Sequence, residues 1–538
     1  MGVLTCKVRQ DFNFFFGSAT TALAWISVHG GMVSITDTGL MGGTMTSDTH
    51  TTHIQNADWV IAWDDTADDH IYRRNCDVVF DAGGIRYVGS NYQGPPADEV
   101  MDANGLMVMP GLISTHSHLN GGNLATGFLE EVLDPYFQHS PMYTRKGPFW
   151  KSDVATPGRD NGRWFKAAMR HAQGELMASG VTTVVDIQGA NEHGQLWCDL
   201  AAQSGLRTYL APCFQEAFWA VRDSRVLDHE WNVEAGRAAY DLACATLDLV
   251  EEHACDRLHG MVAPAQVDTC TESLMVESKA LAKSRGLVWQ THCAQSVPEF
   301  RAMIARTGLT PVGWLDDIGV LDDSSIIGHG IYLDHHSSLG SHSRGDLDAL
   351  AQCETTVAHC PITFSRWGTT LENFGRYRDA GVRMALGNDT GPHNMLEEMR
   401  CAFTQGRINS HAPAQLAMSD IFRAATTGGA RALGRTDIGR LNIGSRADIV
   451  LVDLGVPSMR PGFDPLRSLV FVAADRAVRD VYVEGRLIYA QGAPSGFDAS
   501  AASQELSEAL AIQVREISGR DDVPPMHEIA TSSFPIAK

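Results

Sequence analysis

The sequence predicts a TIM-type (β/α)8 barrel together with a small β-sandwich domain that both terminal segments build. Eight short apolar runs alternate with helical stretches, which is the pattern of a parallel sheet covered by helices. Eight such units in succession favour a TIM barrel. Polar residues directly follow several of the runs, at the carboxyl ends of strands where barrel enzymes place their active sites.

The predicted barrel occupies residues 106–435. Its strands are expected at 107–116, 181–188, 207–214, 258–265, 287–293, 325–331, 355–361 and 383–389. Helical periodicity marks several of the intervening segments, namely 163–179, 231–254, 271–284 and 394–408.

Short β-type runs, separated by Asp/Gly turns, lie on both sides of the predicted barrel. They cover 58–63, 76–80 and 85–88 before it, and 447–452, 468–472 and 478–485 after it. We expect the two sets to form one β-sandwich domain from residues 51–105 and 436–495. A helical tail is expected over 496–538.

Residues 1–50 differ in pattern from the rest of the chain, because Gly, Ser and Thr alternate with isolated aromatic residues without a sustained period. The apolar stretch 22–28 is too short to span a bilayer. No basic region or convincing cleavage site accompanies it, so a secretory signal is not expected. We interpret 1–50 as an N-terminal extension that is either disordered or not native. One explanation is that translation begins at Met45.

Composition excludes several classes of partner. The chain has 538 residues, with 64 acidic against 42 basic side chains and a net charge of −22. Nucleic acid and anionic membranes are therefore poor partners. The 11 scattered cysteines contain no CxxC pair, which is typical of a reducing compartment. We expect a cytoplasmic homo-oligomer that acts on a small molecule.

The segment Thr115-His116-Ser117-His118 directly follows an apolar strand. Side chains at i and i+2 of a strand share a face, so both imidazoles can point at one metal ion. Alone, an HxH pair also fits two surface histidines in a turn. Three further polar strand ends favour the metal interpretation, at 290–292, 328–330 and 386–389.

These strand ends carry motifs that resemble those of the amidohydrolase superfamily. The matching segments are PGLISTHSHL at 110–119, GHGIYL at 328–333, VAHCP at 357–361, LGNDTG at 386–391, AATTGGARALG at 424–434 and GSRADIV at 444–450. The chain is identified as a member of the branch with s-triazine hydrolases, cytosine and guanine deaminases and S-adenosylhomocysteine deaminase. The similarity covers about 55–490.

The resemblance implies one divalent metal bound by His116, His118, His292 and Asp389. Such a centre lowers the pKa of bound water and supplies hydroxide as the nucleophile. Binuclear relatives add a carboxylated lysine at the end of strand four, where this chain has Ala-Pro-Ala-Gln at 263–266. A mononuclear site is therefore expected. Zinc is the default ion, and Fe²⁺, Mn²⁺ and Co²⁺ also fit the ligands.

Two departures from the deaminase pattern bear on the reaction. Deaminases of this branch have a glutamate three residues after the strand-five histidine, where this chain has Gln295. An amide orients water or substrate but cannot shuttle a proton. The strand-four Pro-His pair of the family is Pro264-Ala265 here. The resemblance leaves His329 and Asp389 as the acid/base pair.

The segment from 119 to about 162 is much longer than usual βα connections, and long loops tend to be functional. Its aromatic residues either line an apolar pocket or only anchor the loop. His359 and Arg366 follow strand seven and are candidates for substrate binding. Alternatively, His359 only packs against the top of the barrel, and Arg366 is only solvated. We expect substrate contacts from Gln266, His359, Arg366, Phe128 and Trp150.

The leading hypothesis is a metal-dependent hydrolase of non-peptide C–N or C–halide bonds. Hydroxide on the metal would attack an sp² carbon of a small, largely apolar amide, carbamate, urea or substituted heteroaromatic compound. His329 and Asp389 would manage protons and Gln295 would orient the reactants. The alternatives are a heterocycle deaminase that releases ammonia and a catalytically silent scaffold.

Overall fold

The computed structural model describes residues 50–120, 162–221, 227–340, 345–410, 416–518 and 534, with the backbone of 27–28 and 31–32. Contacts divide the chain into two units, Met1–Asp48 and Thr49–Lys538. In the first unit two short strands pair antiparallel. The interpretation of 1–50 as an extension otherwise lies outside the described residues, as does the predicted tail between 519 and 533.

The strands are numbered along the chain. They are β1 Ser27–Val28, β2 Gly31–Met32, β3 Thr52–Asp64, β4 Asp69–Asp81, β5 Gly84–Gly89, β6 Glu99–Asp102, β7 Leu106–Pro110, β8 Leu112–Ser117, β9 Val181–Gly189, β10 Arg207–Phe214, β11 Ala217–Val221, β12 Leu227–Trp231, β13 Leu258–Pro264, β14 Val288–Cys293, β15 Ser325–His329, β16 Thr356–His359, β17 Arg383–Leu386, β18 Ile449–Asp453, β19 Val478–Val483, β20 Arg486–Ala490 and β21 Ala493–Pro494.

The described helices are numbered in the same way. They are α1 Arg163–Ala178, α2 Gly194–Ser204, α3 Val233–Glu252, α4 Glu272–Arg285, α5 Val297–Thr307, α6 Pro311–Asp317, α7 Asp346–Gln352, α8 Pro361–Ser365, α9 Phe374–Asp379, α10 Met395–Ile408, α11 Met418–Ala424, α12 Thr427–Ala432, α13 Pro465–Ser468 and α14 Ala499–Ser518, with single turns at Ser337–Leu339, Pro457–Met459 and Ala474–Ala477 and a π-helical turn at Leu469–Ala473.

Eight parallel strands form the barrel in sequence order, β8-β9-β10-β13-β14-β15-β16-β17. Hydrogen bonding returns from the last strand to the first, because Thr115 Oγ1 donates to Leu386 O at 2.8 Å and Ser117 bridges to Asp389. The predicted fold class is confirmed. An unpredicted hairpin, β11–β12, is inserted after the third strand.

The run predicted as one strand over 107–116 is divided in two. Leu106–Pro110 pairs with β3 and β18 in the second sheet, while Leu112–Ser117 begins the barrel. Gly111 makes the transition possible, since a Cβ there would lie 2.1 Å from Thr182 Oγ1. Its N–H donates to Asp448 O at 3.0 Å, which anchors the crossing point to the second sheet.

The second sheet combines both terminal segments in nine strands. Its order is β21-β20-β19-β18-β7-β3-β4-β5, with β6 paired to β3. The strand predicted at 468–472 is wrong, because this segment continues from α13 into the π-helical turn. Asp464 caps α13 by accepting the Arg467 N–H, and the turn buries Leu469 and Val470 on one side only. The segment 468–472 is apolar enough for a strand, but its buried residues follow the spacing of a helix.

Helix α14 is the described part of the predicted tail and packs along α1. Arg163 Nη2 pairs with Glu508 Oε2 at 2.9 Å, and His171 Nδ1 lies 2.8 Å from Ser503 Oγ. Among the described helices, none is both long and apolar enough to cross a membrane.

Candidate metal centre

Three histidines and one aspartate meet at the carboxyl end of the barrel. His118 Nε2 lies 3.2 Å from His292 Nε2 and 3.3 Å from Asp389 Oδ1, and His116 Nε2 lies 3.7 Å from the same oxygen. His116 belongs to β8, His118 directly follows it, His292 lies in β14 and Asp389 follows β17. Residues far apart in sequence are thus brought within about 4 Å of one another.

The outer nitrogen of each imidazole is bound to an oxygen. His118 Nδ1 lies 2.8 Å from Ile187 O, His292 Nδ1 lies 2.6 Å from Ala265 O, and His116 Nδ1 contacts Gln290 Oε1. Gln290 donates its own amide N–H to Thr115 O, so its oxygen faces His116. Each Nδ1 therefore carries a proton, and in the neutral form of each imidazole the Nε2 has a free lone pair.

Among the described residues, no other hydrogen-bond donor lies between these converging Nε2 atoms. His116 Nε2 is buried without a hydrogen-bond partner in the described part of the chain. Two acceptors 3.2 Å apart, on His118 and His292, repel each other unless a cation lies between them. Three imidazole nitrogens and a carboxylate form a ligand set that suits a first-row divalent metal. The residues present fit such an ion.

Two glycines allow this close approach. A Cβ at Gly328 would lie 2.6 Å from His116 Cε1, and a Cβ at Gly387 would lie 2.7 Å from His116 O. The N–H groups of Asn388 and Asp389 both donate to His116 O, at 2.9 and 2.8 Å. Asp389 has a φ of 57°, which is rare for a non-glycine residue and often marks functional sites. The glycines of the GHG and GND motifs thus make room for His116.

His329 is the fifth polar side chain of the cluster. Its ring centroid lies 4.6 Å from that of His116 and 5.4 Å from that of His292. A group of four residues also has one ligand atom each within 4.8 Å of the others: His116, His292, His329 and Asp389. This group contains His329, whereas the family pattern has His118 in its place. We favour His118 as the ligand because its Nε2 lies 3.2 Å from His292 Nε2 and 3.3 Å from Asp389 Oδ1, and its Nδ1 is bound to a carbonyl. His329 Nδ1, in contrast, has no partner among the described residues.

The electrostatics of the cluster suit neutral His292 and His329 beside an ionised carboxylate. At His118, burial alone would lower the pKa, but the hydrogen bond and the charge of Asp389 raise it above its usual value. Burial lowers the pKa of His292 and of His329 well below the usual range, and the neighbouring histidines add to the effect. Burial alone would raise the pKa of Asp389, but the surrounding histidines hold it well below its usual value. Neutral imidazoles and a carboxylate are the protonation states in which these residues bind metals.

Gln295 and Gln266 lie beside each other at the ends of β14 and β13. Gln295 Nε2 donates to Gln266 Oε1 at 2.9 Å, and a backbone bridge joins Gln266 to His292. Gln295 is buried, whereas Gln266 is half-buried. β13 ends at Pro264 with no lysine at or directly after its carboxyl end.

The remaining predicted substrate contacts have different outcomes. His359 ends β16 and is buried, and burial lowers its pKa to about 3. Arg366 Nη2 donates to Gly391 O at 2.7 Å and to Thr390 Oγ1 at 3.2 Å, so the guanidinium supports the turn after Asp389. Phe128 and Trp150, with most of the loop from 119 to 162, lie outside the described residues.

Asp186 and Glu299 are buried carboxylates near the cluster that the sequence did not indicate. Asp186 accepts the Leu119 N–H at 3.0 Å and the Trp197 indole N–H at 2.7 Å, which supports the segment after His118. Glu299 accepts N–H groups of the turn after His292. The sequence signal for Asp186 was its place as the single acidic residue in the strand segment 181–187. A carboxylate in a buried strand needs dedicated hydrogen-bond partners.

Comparisons with known proteins agree with this architecture. The model of the amidohydrolase family matches residues 107–488. A 5'-deoxyadenosine deaminase of Methanosarcina acetivorans is 28% identical over 443 residues, which cover 81% of this chain and 92% of the relative.

Two solved structures share the fold. An adenosine deaminase from Xanthomonas campestris with bound zinc superimposes with a TM-score of 0.71 at 20% identity, covering 86% of this chain and 98% of the other. Atrazine chlorohydrolase TrzN from Arthrobacter aurescens, in complex with zinc, gives a TM-score of 0.71 at 21% identity, covering 85% and 100%. The family match spans the barrel and much of the second sheet, and the predicted membership is confirmed. The chain belongs to the amidohydrolase family.

Proposed function

We propose that the protein is a mononuclear metal-dependent hydrolase of small, uncharged amides, carbamates, ureas or substituted heteroaromatic compounds. The observation that carries this proposal is the amide of Gln295 at the place where deaminases of this branch have a carboxylate. The cluster supports a hydrolytic reaction, and Gln295 favours one that requires no proton delivery to a ring nitrogen.

The proposed metal ligands are His116, His118, His292 and Asp389. Zinc is the ion that we propose, since the nitrogen-rich ligand set suits it and the two similar structures contain it. A bound divalent ion supplies an acidified water as the source of the nucleophile. The chain has Ala263 and Ala265 around the end of β13, which supports a single ion.

His329 and Asp389 are the groups that we propose for proton transfer. Asp389 is ionised and can accept a proton from the attacking water. His329 is neutral, so it can receive this proton and release it to the leaving group. Gln295 and Gln266 would hold the substrate by hydrogen bonds. Glu299 cannot replace the missing glutamate, because both of its oxygens accept backbone N–H groups.

A heterocycle deaminase is the second candidate. The names of the curated relatives favour it, since the Methanosarcina acetivorans protein is called a 5'-deoxyadenosine deaminase. In that case another group would have to deliver the proton that Gln295 cannot supply.

The variant Gln295→Glu separates the two candidates. For a hydrolase without ring protonation, we expect unchanged or weaker turnover of amides and carbamates, because a carboxylate beside the metal competes for its charge. For a deaminase, restoring the acid should increase ammonia release by about 10²-fold or more. Steady-state kinetics on a panel of amides, carbamates, adenosines and triazines gives the comparison, with Gln295→Asn as the matched neutral control. A large gain in ammonia release would overturn the proposal.

We also propose that the enzyme is cytoplasmic and homo-oligomeric. The ten cysteines of the described residues are all free, which supports a reducing compartment. Light scattering on the purified protein measures its mass directly, and a monomer would contradict the second part.

A further inference from the structure

A cavity of about 270 Å³ lies beside the segment that follows β15. The described residues that line it are Asp334 and His335 of that segment, Leu347 of α7 and Arg376 of α9. None of them is a residue of the metal centre. Its volume is slightly below the range of about 300–1,000 Å³ that is typical of sites for drug-sized ligands, so the cavity suits a smaller molecule.

Two buried side chains in the wall of this cavity have unmet hydrogen bonding. Only 1% of the Asp334 side chain and 8% of the His335 side chain are exposed. Asp334 Oδ2 accepts the Gly345 N–H at 2.6 Å, but Oδ1 has no hydrogen-bond partner in the part of the chain that the structure describes. Both ring nitrogens of His335 also have no partner there, and Nδ1 lies 4.0 Å from Asp334 Oδ1. A ligand that bonds to these neighbouring atoms would satisfy them together.

The same wall carries buried negative charge. Asp346 Oδ2 accepts the Asp334 N–H at 2.8 Å, so the two carboxyl groups are close to each other. Burial raises the pKa of Asp346 to about 6, and the charge of Asp334 adds to the rise. Among the described residues, no lysine or arginine pairs with either carboxylate. Buried carboxylates without a counter-charge favour a cationic ligand.

His335 does not supply that positive charge at neutral pH. Burial lowers the pKa of His335 to about 4, and the nearby guanidinium of Arg376 adds to the effect. The neutral imidazole can therefore accept a hydrogen bond through one of its nitrogens.

An organic ammonium ion suits this wall better than a metal ion. Structural metal sites are built from about four protein ligands. Within the ranges that the structure describes, three or more metal-binding side chains converge only at the metal centre. An ammonium group, in contrast, needs only acceptors, and Asp334 Oδ1 and the ring of His335 provide them.

The other lining residues favour a carboxylate and an apolar group in the same ligand. Arg376 has a side chain that is 40% exposed, and its Nη1 lies 3.9 Å from Glu372 Oε2, which is a long surface contact. Leu347 adds a half-buried aliphatic side chain. The cavity thus combines a carboxylate, a guanidinium and an apolar side chain.

We propose that this cavity binds a small zwitterion, namely an α-amino acid with an aliphatic side chain. Its ammonium group would donate to Asp334 Oδ1 and to the imidazole of His335. Its carboxylate would pair with Arg376, and its aliphatic part would contact Leu347. The inference goes beyond the proposed hydrolytic reaction and does not depend on it.

The test compares L-leucine with two analogues by isothermal titration calorimetry on the zinc-loaded full-length protein. We expect one molecule of leucine to bind per chain. 4-Methylpentanoate lacks the ammonium group and should bind at least about tenfold more weakly, because it loses charge-assisted hydrogen bonds to buried acceptors. 3-Methylbutylamine lacks the carboxylate and should bind about fivefold more weakly, because the pair with Arg376 is partly exposed.

Two variants assign the binding to this cavity. Arg376→Met changes an exposed side chain, and it should lower the affinity for leucine to that for 3-methylbutylamine while leaving the amine unaffected. Arg237→Met removes another exposed arginine and is the matched control, which should change neither affinity. Asp334→Asn retains an oxygen for the Gly345 N–H and should weaken the binding of both leucine and the amine about tenfold.

No binding of leucine at millimolar concentration, equal affinities for leucine and both analogues, or an unchanged affinity for leucine in Arg376→Met would each overturn the inference. Leucine that binds only through the zinc ion would be insensitive to Arg376→Met, so this result also counts against the cavity. If Asp334→Asn fails to fold, the comparison of Arg376→Met with Arg237→Met still decides. A second zinc ion per chain that Asp334→Asn removes would show a metal site instead.

Discussion

The two ends of the barrel both bury polar side chains, but they satisfy them differently. At the amino end of the strands, Arg207 begins β10 and is fully buried. Its Nη2 donates to Glu484 Oε1 at 2.8 Å and to Asp448 Oδ1 at 3.3 Å, and its Nη1 contacts the other oxygen of Asp448. At the carboxyl end, His118 Nε2 and His292 Nε2 lie 3.2 Å apart, and His116 Nε2 has no hydrogen-bond partner among the described residues.

The difference distinguishes structural polar groups from functional ones. Arg207 joins a barrel strand to two residues that flank strands of the second sheet, so its charge is compensated within the protein. The convergent lone pairs of His116, His118 and His292 are compensated only when a cation is added. Buried polar groups that are all acceptors, or all donors, without partners therefore indicate the chemistry of a ligand that would suit them.

The largest effect is expected at the carboxyl end. His116→Ala or Asp389→Ala should abolish activity and bound metal, because each removes a proposed ligand from the centre of the cluster. Elemental analysis and steady-state kinetics on the purified variants measure both effects. His259→Gln is a matched control, since this half-buried histidine lies at the amino end of β13 and should leave the metal in place. Retention of metal in both ligand variants would show that the cluster is not the binding site.

At the amino end, Arg207→Met should destabilise the fold by about 3–5 kcal/mol, because Asp448 would remain buried without its counter-charge. Urea denaturation of the metal-loaded protein measures this loss. Arg237→Met removes the exposed pair between Arg237 and Glu277, which are 2.6 Å apart, and should cost no more than about 1 kcal/mol. Equal losses in the two variants would contradict the distinction between the buried and the exposed pair.

A smaller effect is expected for Gly328→Ala. The new methyl group would lie 2.6 Å from His116 Cε1, so the imidazole must turn and its contact with Gln290 weakens. Loss of such a supporting contact typically weakens metal binding by about 10–100-fold, which competition with a chelator measures. Gly189→Ala at the end of β9 meets nothing within 4 Å and serves as the control. Identical affinities in the two variants would mean that Gly328 has no part in placing His116.

The sequence predicted the barrel and the strand ends at which the polar residues gather, because both depend on local periodicity and motif spacing. It did not predict that the strand is divided at Gly111, where Thr182 closely approaches the backbone. The contact between His116 and Gln290 joins residues 174 positions apart, and no local pattern encodes it. The sequence did not indicate Glu299 for the same reason. Glu299 accepts backbone N–H groups of a turn, but its position in the sequence is that of an ordinary acidic residue at a helix N-terminus.

The metal content of the purified full-length protein tests the interpretation of the carboxyl end most directly. Elemental analysis after dialysis against metal-free buffer, and again after reconstitution with zinc, should find close to one ion per chain, with activity proportional to it. Two ions per chain, both required for turnover, would contradict a mononuclear centre, and full activity in the metal-free protein would contradict a metal centre altogether.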